Sequence, residues 1–584
     1  MSASNLHIAW AKLFVGALAS AGVTEVVLSP GSRSTPLLIA VSEEPRLRLH
    51  VIVDERSAAF FALGQARVSG RPSLLVCTSG TAGAHWLPAV IEASQSFVPM
   101  IALTADRPWE LQGAAAPQTI DQRALFGGFV RHFADLGEPD AAPAALRAVP
   151  RLAAQAVARA LSPTPGPVHV NARFRKPLDP QRVDAAEPWE AQVGALAERG
   201  GPTSYASQPL PAARAVVDIA DRLGAAERGI IVCGPAPLAA AEGRDVILDL
   251  ARRSGFAIFA EATSQIRFGG DRAGVVLLSN GEVMRSLRGR EAPDVIVALG
   301  APPTSAAYAD MCAASPAAAR FVIAPHGWND PEGDATALIQ ADPAAFARAV
   351  APRLPARIGP PRPWVAAIAR ADARAQAIVD RALAGPLSEG AVARALVASC
   401  PEGARIAVGN STPVRDLDAC CPSSARELRV LHQRGASGID GLVSGAAGAA
   451  SVAGAPVALL LGDLSLFHDL AALSLLGRAS EALVVVVVQN GGGRIFEQLP
   501  IARAIAPDLL ERGFVTPTPV RFDQAAAAFG VTYARADTRE ALDEALSRAW
   551  ASGGATLIEA VVAPHGGAAM AARIKAEIGR DAGG

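Results

Sequence analysis

The apolar positions of this chain fall into short continuous runs rich in β-branched residues. Each run closes on small and polar residues before a stretch of helical period begins. Such runs are too short to cross a membrane and too continuous for a sheet with one wet face, so they predict buried parallel strands with helices on both sides. TEVVLSPGSRSTPLLIAVSEE, LRLHVIVDERSAAFFALGQARVSG and PSLLVCTSGTAGAHWLPAVIEASQSF each read strand, loop, helix, and MIALTADRP opens a further loop. GIIVCGPA, GFAIFAEA, DVIVALGAPP and ARFVIAPHG supply strands in the middle of the chain. RIAVGNSTPVRDLD, LRVLHQRGASGIDGLVSGAAGAA, FDQAAAAFGVTYARADT and ATLIEAVVA carry the alternation to the end. The fold class this predicts is α/β, with doubly wound parallel sheets whose ligand edges lie at the strand carboxyl ends.

Two stretches break the alternation. Residues 179–212 are rich in Pro, Gly, Ser and charge, and residues 351–363 read APRLPARIGPPRP. Taken as linkers, they divide the 584 residues into three α/β domains, at 1–180, 205–351 and 364–584. The N-terminal stretch SNLHIAWAKLFVGALASAGV has a helical period but no basic leader, and Lys12 interrupts it, which predicts a domain helix rather than a signal peptide.

The formal net charge is −1, which points away from nucleic acid and from an anionic membrane surface as partners. Six cysteines show no CxxC or other metal spacing, so a reduced, cytoplasmic protein is expected, with Cys420-Cys421 as a packing pair. Gly234-Pro-Ala-Pro237 is not a GxGxxG fingerprint, so no dinucleotide site is expected in the middle domain.

One βαβ unit carries the chemistry. The apolar run Val457 to Leu461 ends in Gly462-Asp463, and the run Leu483 to Val488 ends in Gln489-Asn490-Gly491-Gly492, with a crossover helix expected between them. Adjacent parallel strands would bring Asp463 and Asn490 to one sheet edge. There a carboxylate, an amide oxygen and backbone carbonyls suit a hard cation such as Mg²⁺, with phosphate oxygens completing its shell. Upstream, the glycines from Gly435 to Gly448 let backbone approach a ligand and offer amide hydrogens to a diphosphate. Asp54-Glu55-Arg56 follows a strand, with Glu55 opening a helix of small residues.

Gly-Asp, a crossover and then Asn resembles the motif of thiamine diphosphate-dependent enzymes, although Leu464 stands where their pattern has a second glycine. SPGSRSTP (29–36), TSGTA (78–82), TADRP (104–108) with QTI (118–120), and NARFRKPL (171–178) narrow the likeness. The chain resembles the 2-succinyl-5-enolpyruvyl-6-hydroxy-3-cyclohexene-1-carboxylate synthases of menaquinone biosynthesis, across all three domains and most strongly at both ends. A related 2-oxoacid decarboxylase or carboligase is the alternative within the same fold.

That resemblance implies a pyrimidine-binding first domain, a middle domain without a cofactor, and a third domain for diphosphate and metal. The cofactors implied are thiamine diphosphate and Mg²⁺, with Mn²⁺ as a substitute. The ligands implied for the metal are Asp463, Asn490 and the Gly492 carbonyl. Glu55 is implied at the pyrimidine N1′ and Ile439 beneath the folded cofactor. Thr78, Gly80, Asn410, Ser411, Gly462, Leu464, Ser465, Ile495 and Phe496 are implied around it. The substrates implied are 2-oxoglutarate and isochorismate, which together bring four carboxylates and call for arginine forks. Ser32, Arg33, Arg107, Gln118, Ser411, Arg415 and Arg434 are the residues implied for them, with Arg415 and Arg434 assigned together to the donor. Active sites between chains of a homodimer or homotetramer are implied as well. Three departures stand out: Pro117 before Gln118, His85 after TSGTAGA, and a 300–307 loop with no Lys or Arg, which leaves Arg267 as a weak replacement.

Overall fold

Six strands of the N-terminal part pair in parallel: β1 (Glu25–Leu28), β2 (Arg48–Val51), β3 (Ser73–Cys77), β4 (Met100–Asp106), β5 (His132–Asp135) and β6 (Pro167–Arg173). Their order across the sheet is β2-β1-β3-β4-β6-β5. The structure, a computed structural model, describes residues 3–182, 187–355, 357 and 359–581. Residues 183–186 of the first expected linker and 356 and 358 of the second lie outside the described residues.

A second parallel sheet comprises β7 (Gly229–Cys233), β8 (Ala257–Ala260), β9 (Leu277–Leu278), β10 (Val295–Leu299), β11 (Ala319–Ala324) and β12 (Ala337–Gln340). A third comprises β13 (Arg405–Val408), β14 (Arg429–His432), β15 (Val457–Gly462), β16 (Leu483–Gln489), β17 (Thr532–Ala536) and β18 (Ala555–Val561). The third sheet runs β14-β13-β15-β16-β18-β17, the same order of excursions as the first, and the second runs β12-β11-β10-β7-β8-β9. The expectation of three doubly wound parallel sheets is met. The continuous apolar runs become the central strands β3, β4, β10, β15 and β16, buried because helices cover both faces.

By compactness the chain forms two units: Met1–Ser207 with Gln433–Ala453, and Gln208–His432 with Gly454–Gly584. The first unit therefore takes in a segment that sequence order assigns to the third domain. Its helix Leu442–Val452 lies against helix Glu55–Ser69 with backbone touching backbone. A Cβ on Gly64 would stand 1.9 Å from the Gly445 carbonyl oxygen, and one on Gly448 would stand 1.9 Å from that of Phe61. The expected irregular linker at 179–212 contains a helix, Pro188–Arg199, whose Trp189 and Leu196 are buried in the core of the first sheet. Two large apolar anchors among polar residues suffice to dock a helix, and linker composition hides them.

In the second unit, the loop after β7 meets the loop after β10 at van der Waals distance: a Cβ on Gly234 would lie 1.9 Å from the Ala301 carbonyl oxygen. Arg267, the weak replacement that the sequence offers for the cations missing from the 300–307 loop, is 1 % exposed. Its guanidinium donates to the carbonyls of Ala260 (2.6 Å), Asp418 (2.9 Å), Cys421 (2.7 Å) and Ser279 (3.2 Å) and pairs with the Asp418 carboxylate at 2.5 Å. A buried cation is tolerated only when neutralised and saturated in this way, and a saturated fork has nothing left for a substrate. Arg267 is thus a structural cation rather than a replacement for the 300–307 loop. All six cysteines are buried and free. No helix among the described residues is long and apolar enough to cross a membrane.

Candidate active site

In the first unit the ligand edge is formed by the turns after β1, β2, β3 and β4. After β1, Gly31 passes so close to Thr78 that a Cβ would lie 2.3 Å from the threonine Cβ. This close approach ties the Ser32-Arg33 turn to the Thr78–Gly80 turn. Arg33 is buried, donates to the Phe174 carbonyl at 2.6 Å, and leaves its Nε without a partner. Burial, and then the neighbouring positive charge of Arg107, bring the Arg33 guanidinium down to about 10. Two adjacent arginines with an unmatched donor make a natural seat for a carboxylate, which would offset both effects.

Asp106, at the end of β4, orients this edge. It accepts from the Arg107 N–H (2.7 Å), Asn171 Nδ2 (2.9 Å) and Gln112 Nε2 (3.2 Å). Gln122 donates to Asn171 (2.9 Å) and accepts the Gly80 N–H (2.9 Å), linking the TSGTA turn to the same network. Sequence reasoning missed Gln122 and Asp106; the recurrence of glutamine four residues after Gln118 was the available signal. Gln118 itself is exposed, has a left-handed φ of 57°, and donates to the Ser79 carbonyl at 3.0 Å. Arg107 Nη2 donates to the Pro117 carbonyl at 3.2 Å, so the departure at Pro117 leaves a usable contact, and His85 is exposed. Glu55 opens helix Glu55–Ser69 behind the cap Asp54, whose side chain accepts the Arg56 N–H at 2.9 Å. Arg434 and Ile439 are half-buried on the Gln433–Gly441 turn of this same unit.

In the second unit β15 and β16 pair with Gly462 opposite Val488, which puts Asp463 and Asn490 at adjacent strand ends. The crossover between them is a short helix, Asp463–His468, followed by a 3₁₀ stretch, Leu470–Arg478, rather than one continuous helix. Asp463 is buried and accepts N–H groups from Leu464 (2.7 Å), Gly491 (3.0 Å) and Gly492 (2.8 Å), so the two tips are joined directly. Burial raises its carboxyl above the ordinary range, while these N–H contacts pull the other way. Asn490 is buried and donates Nδ2 to Glu389 at 3.3 Å, but its Oδ1 has no partner. The Gly492 carbonyl accepts the Arg494 N–H at 2.8 Å and keeps a second lone pair.

A carboxylate, an orphaned amide oxygen and a carbonyl fit Mg²⁺ or Mn²⁺. Among the described residues no group of three His, Cys, Asp or Glu could hold a metal. Gly462 is half-buried and Ser465 buried beside it, with Leu464 half-buried. Ile495 is half-buried and Phe496 packs edge-on against Phe514 at 5.3 Å. After β13, Asn410 is buried and Ser411 takes a left-handed φ of 70°, a strained backbone of the kind held at ligand sites. Arg415 is exposed one turn into helix Thr412–Cys420 and donates to the Ser411 carbonyl at 2.7 Å.

Residues 8–125 match the thiamine pyrophosphate enzyme N-terminal TPP binding domain, and residues 419–560 match the C-terminal TPP binding domain. A 2-succinyl-5-enolpyruvyl-6-hydroxy-3-cyclohexene-1-carboxylate synthase of Sorangium cellulosum is 57% identical, over 100% of this chain and 97% of its own length. The chain belongs to this synthase family. Synthases of the same name from Halobacterium salinarum and Geobacillus kaustophilus are 39% and 41% identical, over 96% and 94% of this chain and 96% and 94% of their own lengths. A benzoylformate decarboxylase from Polynucleobacter necessarius has the same fold, with a TM-score of 0.72 at 16% identity over 95% of this chain and 98% of its own. As a synthase of this family the chain is an enzyme with thiamine diphosphate-binding domains at both ends, which is what its two ligand edges resemble.

Proposed function

We propose that the chain decarboxylates 2-oxoglutarate and joins the remaining four-carbon unit to isochorismate by 1,4-addition, yielding 2-succinyl-5-enolpyruvyl-6-hydroxy-3-cyclohexene-1-carboxylate for menaquinone biosynthesis. The observation that carries this reading is the full-length match to a synthase of that name at 57% identity. The unmatched Arg33 Nε beside Arg107 supports a carboxylate-bearing substrate. Bound at these edges, thiamine diphosphate would supply the electron sink that lets a 2-oxoacid lose CO₂.

The chain's own residues do the rest. Asp463, Asn490 and the Gly492 carbonyl would hold Mg²⁺ or Mn²⁺ against the diphosphate. Glu55 would hold a proton between its carboxylate and the pyrimidine N1′, and Ile439 would support the cofactor from below. Thr78, Gly80, Asn410, Gly462, Leu464, Ser465, Ile495 and Phe496 would surround it. Ser32, Arg33, Arg107 and Gln118 would bind isochorismate, and Ser411, Arg415 and Arg434 would bind 2-oxoglutarate.

Isochorismate should be consumed only when 2-oxoglutarate is present, and pyruvate should not replace it; equal consumption with pyruvate would exclude the proposal. Arg33→Ala and Arg107→Ala should release CO₂ from 2-oxoglutarate alone at the wild-type rate while raising the isochorismate KM. Loss of a bidentate charge-assisted contact costs about 2–5 kcal/mol, a few tens to a few thousand-fold. Arg415→Ala should instead slow the CO₂ release. The opposite pattern would exchange the two carboxylate seats.

We further propose an obligate homodimer or homotetramer in which Glu55 of one protomer and Asp463 of its partner serve one cofactor. Mixing Glu55→Gln chains with Asp463→Ala chains should then restore activity at one of two sites. No recovery after demonstrated subunit exchange would contradict shared sites.

A further inference from the structure

Glu92 is the one charged residue of helix Leu87–Gln95, and is 3 % exposed. Its carboxylate accepts the backbone N–H groups of Gly435 (3.0 Å), Ala436 (2.6 Å) and Ser437 (3.4 Å). Arg67, half-buried, pairs with the same carboxylate and neutralises it. Three successive N–H groups converging on one anion form an anion nest whose occupant is a side chain of the protein itself.

The turn needs such a clamp. Gly435 lies so close to the helix that a Cβ would be 2.8 Å from the Glu92 carbonyl oxygen and 2.9 Å from the Ser96 nitrogen. Ser437 has a left-handed φ of 63°, which a serine adopts at a cost. A cavity of about 260 Å³ borders Ala436, Gly438 and Asp440, so packing does not hold that side of the turn. Arg434 precedes the three clamped residues and Ile439 follows them.

We infer that Glu92 is a positioning residue: by gathering the N–H groups of Gly435, Ala436 and Ser437 it sets where Arg434 and Ile439 stand. The functional consequence rests on the substrate and cofactor roles proposed for those two residues; the clamp itself does not.

The test uses the full-length protein with Glu92→Gln, Arg67→Met and the charge-balanced double substitution, which folds even where a lone unpaired Arg67 would not be tolerated. Amide hydrogen exchange at Gly435, Ala436 and Ser437 should quicken at least tenfold in Glu92→Gln and in the double variant, with the first sheet's strands unchanged. Both variants should raise the KM of a carboxylate substrate or the Kd of thiamine diphosphate at least tenfold. Arg67→Met should lose thermal stability yet stay within threefold of wild type in both constants. Unchanged exchange at the three amides in the double variant overturns the clamp. Quickened exchange with wild-type constants overturns its role in positioning. A wild-type chain inert toward 2-oxoglutarate and isochorismate would overturn the proposed reaction, while exchange would still decide the clamp.

Discussion

Glu55→Gln is expected to bind thiamine diphosphate with near-normal affinity and to slow exchange of its C2 proton by orders of magnitude. The two halves of this expectation come from different parts of the structure. Helix Glu55–Ser69 is capped by Asp54, so changing Glu55 removes no capping bond. Among the described residues the Glu55 carboxylate has no hydrogen bond or ion pair, so the amide leaves no buried partner stranded. What remains is the loss of a negative charge at a helix start, about 0.3–1 kcal/mol. The chemical loss is larger, because an amide cannot share a proton with the pyrimidine N1′ as a carboxyl can. Exchange followed by proton magnetic resonance on the bound cofactor gives the rate directly. A wild-type rate would show that another acid does this work.

Asp463→Ala should weaken cofactor binding by about three orders of magnitude or more, on the order of 4 kcal/mol, without unfolding the chain. One substitution removes an anionic oxygen donor from the proposed metal site. It also frees the N–H groups of Leu464, Gly491 and Gly492, so the turn that presents Asn490 loosens as well. The fold should tolerate the change, since burial already disfavours the charged form of this carboxyl. Losing the N–H contacts and relieving the desolvation oppose each other. Titration calorimetry with Mg²⁺ and thiamine diphosphate measures the affinity, and circular dichroism checks the fold. Normal affinity in a folded variant would remove Asp463 from the metal site.

The adjacency of Asp463 and Asn490 was legible because both strands are continuous apolar runs, and parallel neighbours must end at the same edge. Asp463 binding the Gly491 and Gly492 amides was not, because nothing in a sequence shows which backbone groups a carboxylate will meet. Glu55 was legible as a helix start, whereas nothing in the sequence sets Glu92 apart from a solvated helix acid. Arg267 was misread for the same reason that buried arginines generally are: only the partners, here Asp418 and four carbonyls, distinguish a core cation from a surface one. The placement of Gln433–Ala453 with the first unit depends on close helix packing, which chain order conceals.

That packing has a consequence for how the gene tolerates change. In a library of random single substitutions scored for survival of activity, Gly64 and Gly448 should be as intolerant as the residues that touch substrate. A methyl group at either would stand 1.9 Å from a carbonyl oxygen of the facing helix, and no rotamer can relieve a clash between backbones. Exposed Gly70, whose Cβ would meet nothing within 4 Å, would pay only for its left-handed φ of 66° and should accept asparagine. A fitness map would therefore show two silent-looking glycines, on helices that carry no chemistry in their middles, behaving like catalytic positions.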